Sequence, residues 1–135
     1  MDFFTHVNIW AVLVCGAASL FIGGLWYSPF LFGKKWQKEA GLSDEKIKNS
    51  NMPVIFISTF LLTVIMALNM AIFFGGQVGF TDGILYGFFT GLFWVSTALG
   101  VIYLYERKSL LLWFINGGYH IIVFTVIGGI IGAWH

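Results

Sequence analysis

The sequence predicts an all-helical membrane protein whose chain crosses the bilayer four times as a compact bundle. Three observations carry that expectation. Of 135 residues, 59% are hydrophobic and only 10% are charged, against about 25% charged in ordinary soluble domains. A soluble domain of this size has too little interior to hide so much apolar surface. The apolar residues also fall into four long windows, and the charges fall between them.

A spanning helix needs ~20 mostly apolar residues to cross ~30 Å of hydrocarbon. Windows at about residues 9–27, 53–74, 83–103 and 110–134 meet that requirement within a single membrane domain, residues 1–135. They are too long and too evenly apolar for barrel strands, which would alternate. The intervening segments are a basic loop at 28–52, a short polar turn at 75–82 and the run Glu106-Arg107-Lys108.

The first window reads as a retained span. Its flank carries Asp2 and no Lys or Arg, whereas a signal peptide needs a basic start. Cys15 is the lone cysteine, so it allows no internal disulfide.

In the first loop, Pro29 marks the end of the first helix, since it lacks a backbone donor. Phe30, Leu31, Phe32 and Trp36 interleave with Lys34, Lys35 and Lys38, a mixture suited to the membrane interface. Ser43 is placed to cap a short helix through Lys48. Pro53 stands where the second span begins, and a missing N–H does little harm there.

Charge placement predicts orientation. All seven basic residues lie in the first and third loops. The positive-inside rule puts those loops in the cytoplasm and both termini outside.

Small residues recur at spacings of four, which keeps them on one helix face. The stripes are Ala11, Cys15, Ser19, Gly23 in the first helix and Thr59, Thr63, Ala67, Ala71, Gly75 in the second. Gly79, Gly83, Gly87, Gly91 mark the third, and Gly128 and Gly132 the fourth. Such stripes let backbones approach closely in lipid. They can serve seams within one bundle or contacts between copies in a homo-oligomer.

No Asp, Glu, Lys or Arg lies well inside any window. Proton-coupled transporters commonly place a carboxylate there, so active coupling is disfavoured. No metal-ligand cluster, nucleotide loop or Ser/His/Asp set is evident, and no cofactor is expected. His6 and His135 face outward in this topology, on chain ends expected to fray.

Polar residues gather in the fourth window. Trp113, Asn116 and His120 share a face, with Tyr119 adjacent. Asn116 lies ~9 Å into that helix and His120 near its middle. Trp26, Tyr27 and Tyr103 are available at the same side, and Asn69 is a further buried amide candidate in the second helix. These residues are candidates for a small polar ligand pocket. The plainer alternative is interhelical hydrogen bonding that fixes the bundle.

The runs Gly24-Leu25-Trp26-Tyr27-Ser28-Pro29 and Leu31-Phe32-Gly33-Lys34-Lys35-Trp36 resemble the bacterial DUF1761 family of small membrane proteins. Asn51-Met52-Pro53, Tyr105-Glu106-Arg107, Asn116-Gly117-Gly118-Tyr119-His120 and Ile130-Ile131-Gly132-Ala133-Trp134 follow the same pattern in order. The resemblance implies four spans in a bacterial cytoplasmic membrane and supplies no activity. Three function classes stay open. The first is a bundle that binds a lipid, a small ligand or a partner helix. The second is an oligomeric transporter or channel for a small neutral solute. An enzyme acting on a lipid-like substrate through His120 has the least support. The expected partners are the bilayer, a second copy of the chain and a bound lipid or small molecule, with no nucleic acid.

Overall fold

A computed structural model describes residues 2–135, and among them every regular element is helical. The order is α1 (Ile9–Trp26), α2 (Gly33–Glu39), α3 (Asp44–Lys48), α4 (Met52–Phe74), α5 (Phe80–Phe89), a π-helical stretch (Thr90–Ser96), α6 (Thr97–Tyr105) and α7 (Leu110–Ala133). Four helices are long and apolar enough to cross a membrane: Ile9–Trp26, Met52–Phe74, Phe80–Tyr105 and Leu110–Ala133.

Local chemistry sets the ends. Asn8 caps α1, its side chain accepting from the Trp10 and Ala11 amides at 3.0 and 3.3 Å. α1 stops at Trp26, and the chain turns so tightly that Gly33 N donates to Ser28 O at 2.9 Å. A Cβ at Gly33 would lie 2.7 Å from that same oxygen, so only glycine fits. Ser43 caps α3 by accepting from Lys46 N at 3.1 Å. Asn51 caps α4, with Pro53 in its first turn. Ser109 caps α7 by accepting from Leu112 N at 3.1 Å.

The third long helix begins at Phe80, three residues before the apolar window at Gly83. Hydropathy missed Phe80, Thr81 and Asp82 because Asp82 is charged. A carboxylate in a first turn is nevertheless favourable, because it faces the positive end of the helix. The preceding turn is therefore shorter, with Gly75 and Gly76 in the left-handed region at φ 56° and 72°.

α7 lies at the centre. The third long helix packs along it, while α1 packs against both α4 and α7. The approach to the third helix is backbone to backbone. A Cβ on Gly83 would strike Gly128 O, one on Gly87 would strike Phe124 O, and one on Gly132 would strike Gly79 O. The apolar core holds Val12, Cys15, Ala67, Met70, Ala71, Phe74, Phe124, Ile127 and Ile131. These residues occupy the half of the bundle away from the 28–51 loop. The half next to that loop, termed the basic end below, is filled differently.

Candidate functional site

At the basic end, one amide joins three long helices. Tyr27 Oη donates to Asn116 Oδ1 at 2.6 Å, and Asn116 Nδ2 donates to Tyr103 Oη at 2.6 Å. Tyr27 follows α1, Tyr103 ends α6 and Asn116 sits in α7. An amide offers both an acceptor and donors, so it can bridge two hydroxyls that need opposite partners.

Aromatic packing surrounds this bridge. The Tyr27 ring lies tilted against Tyr119 at 5.4 Å and meets Trp36 edge-on at 5.1 Å. Tyr119 Oη donates to the Ser19 backbone carbonyl at 3.2 Å. That reach is open because Gly23 has no side chain: a Cβ there would lie 3.4 Å from the Tyr119 hydroxyl. Trp36 belongs to α2, so the amphipathic loop helix closes over the end of the bundle.

His120 lies one helical turn beyond Asn116 on the same face. Its ring is 5.3 Å from that of Tyr119. Its Nδ1 is buried and has no hydrogen-bond partner among the described residues. It is the single buried side-chain nitrogen or oxygen among them in that condition.

The π-helical stretch passes this region. Such i→i+5 turns are rare and occur mostly inside α-helices. Trp113 Nε1 donates to Ser96 O at 2.8 Å, and Ser96 Oγ donates to Gly117 O at 3.1 Å. Thr90 and Thr97 flank the stretch, their hydroxyls donating to Tyr86 O at 2.7 Å and to Phe93 O at 2.5 Å.

Of the residues singled out by sequence, Tyr27, Tyr103, Asn116, Tyr119 and His120 come together. Trp26 is adjacent, but its Nε1 donates to Ile115 O at 2.9 Å and its ring packs on Phe32. Asn69 stands apart. It is exposed, and its Nδ2 donates to Ile65 O one turn back at 2.8 Å. An amide on the outer face satisfies itself against its own helix, so the expectation of a buried Asn69 is corrected.

Sequence reasoning did not place Trp36, Ser96 or the Ser19 carbonyl in the site. Trp36 has the pattern of an interfacial anchor, and backbone acceptors leave no mark in side-chain identity.

At the opposite end, His6 and His135 line one polar cavity of about 430 Å³ with Thr5, Asn8 and Gly76. No group of three or more His, Cys, Asp or Glu residues suited to a metal occurs among the described residues.

The family model described as a protein of unknown function (DUF1761) matches residues 10–132. No curated protein and no solved structure matches the chain.

Proposed function

The chain belongs to the DUF1761 family, and from that premise we propose that it is a membrane-embedded binding protein. Its ligand is a small amphiphile with one hydrogen-bonding group, held against α7 at the basic end. The observation that carries this reading is the unpartnered, buried Nδ1 of His120. Leaving such a group unsatisfied costs about 1–3 kcal/mol. Asn116, Tyr119, Trp113 and Ser96 nearby all have partners on other helices. A ligand hydroxyl, carbonyl or amide would supply what His120 lacks.

In this reading the Tyr27–Asn116–Tyr103 bridge is the fixed wall of the site, and α2 with Trp36 is its cover. The positive-inside rule puts this end in the cytoplasm, with both termini across the membrane. The stripe of the third helix suits a seam inside one chain, because the backbone of α7 lies in front of Gly83, Gly87 and Gly91.

Native mass spectrometry of the protein released from its membrane tests the proposal. The wild type should carry a small-molecule adduct. His120→Ala should lose it while remaining folded by circular dichroism. A wild type without adduct refutes the reading, as does a His120→Ala protein that keeps the adduct. A variant that only unfolds supports a purely structural histidine instead.

A further inference from the structure

We propose a second, lateral site: a groove between α6 and α7 that takes one acyl chain of an anionic glycerophospholipid, with its phosphate at Lys108. The groove has a volume of about 480 Å³ and an apolar lining of Gly100, Val101, Leu104, Leu110 and Trp113, with Thr97 at its far end. Lys108, Ser109 and Tyr103 stand at its other end. From Lys108 the groove follows α6 down to Thr97, ~12 Å along the helix axis. Half of a ~30 Å hydrocarbon core is about that deep. A chain lying there would enter from the headgroup layer and end near the middle of the bilayer.

The groove is built from fixed parts. Trp113 forms its floor, and the ring is held by its hydrogen bond to Ser96 O. Gly100 leaves the ring uncovered, since a Cβ there would lie 3.1 Å from Trp113 Nε1. The mouth is fixed as well. Lys108 N donates to Tyr103 O at 2.9 Å and Arg107 N to Leu104 O at 3.3 Å, which closes α6 in a Schellman turn. That turn sets Lys108 beside the groove. The turn carries Glu106, Arg107 and Lys108, and of these only Lys108 lines the cavity. One ammonium above an apolar slot complements one anionic phosphate above one acyl chain. Ser109 Oγ accepts from Leu112 N and keeps its own proton to donate.

This site does not depend on His120. Tyr103 and Trp113 border both: Tyr103 lines the groove while its hydroxyl accepts from Asn116, and Trp113 floors it while bonding Ser96 O.

The test is tryptophan quenching in phosphatidylcholine vesicles that contain phosphatidylglycerol with brominated acyl chains. A saturable quenching component should favour brominated phosphatidylglycerol over brominated phosphatidylcholine by about fivefold, the discrimination that one lysine near a membrane surface supplies. Trp113→Phe should remove that component. Val101→Phe, which fills the slot and leaves Trp113 in place, should abolish it too. Lys108→Glu should erase the preference, and His120→Ala should leave it intact. Equal quenching by both lipids in the wild type overturns the proposal. So does a preference that survives Lys108→Glu or Val101→Phe.

Discussion

Replacing Gly87 with alanine should unfold the bundle more easily, although alanine is the better helix former. A Cβ at Gly87 would lie 2.8 Å from Phe124 C and 3.1 Å from Thr125 Cα, and closer still to Phe124 O. Ordinary contact for such an atom begins at 3.4 Å. All three obstacles are backbone of α7, so no side chain can swing aside and the two helices must separate. A gap of half an ångström to one ångström forfeits a quarter to a half of each contact along the seam. Overpacking of this kind costs about 1–3 kcal/mol, and the helical gain from Gly to Ala returns at most about 1 kcal/mol. The matched control is Gly24→Ala, where nothing lies within 4 Å of the new methyl. That variant should gain about 0.5–1 kcal/mol from helix propensity alone. The two proteins should therefore differ by about 2 kcal/mol, a factor near 30 in the unfolding equilibrium. Unfolding in mixed micelles of dodecyl sulfate and a mild detergent, followed by circular dichroism, measures the difference. If Gly87→Ala is as stable as the wild type, or shifts in the same direction as Gly24→Ala, the close approach is not what holds α7 to the third helix.

Two further substitutions address the basic end. Asn116→Leu strands the Tyr27 and Tyr103 hydroxyls together and should cost about 1–3 kcal/mol. Tyr27→Phe removes one bond and should cost about 0.6 kcal/mol, so a double-mutant cycle of the pair should show clear non-additivity. Arg107 is the one non-glycine residue with positive φ among those described, at 59°. A left-handed residue with a Cβ carries about 1–2 kcal/mol of strain, while Arg107 Nη1 recovers part of it by donating to Tyr105 O at 2.7 Å. Arg107→Gly should consequently raise the thermal midpoint, and a lowered midpoint would mean that the guanidinium contributes more than the turn geometry costs.

The four long helices were legible because length and hydropathy act on each segment alone. The caps were legible for the same reason: Ser43 and Pro53 satisfy or avoid backbone donors within a few residues of themselves. Pairing across helices is a different matter. Asn69 and Asn116 look equivalent as isolated amides in apolar windows, yet one turns back on its own helix and the other bridges two tyrosines. What separates them is the face each presents, and near-uniform hydrophobicity hides that face. A helix surrounded by lipid on one side and by helices on the other shows little amphipathic contrast, because both environments favour the same residues. Small residues break the symmetry, since lipid has no need of a flat backbone. Gly83, Gly87 and Gly91 mark the side of the third helix that meets α7.

The π-helical stretch was not legible, and it changes what the basic end can do. Gly91 lies within it, where a Cβ would sit 2.7 Å from Ile121 Cα. Ser96 closes it and supplies a carbonyl to Trp113 and a hydroxyl to Gly117. The Ser96 carbonyl has two lone pairs and accepts from the Trp113 indole N–H, so Trp113 is held by a hydrogen bond as well as by packing. Trp113 then serves two neighbours at once: it buttresses Gly117, one residue from Asn116, and it floors the groove beneath Gly100. Ser96 and Trp113 thus link the polar cluster around Asn116 to the apolar slot beside Lys108. A perturbation of Ser96 should be felt at both sites, whereas His120 and Lys108 should each be felt at only one.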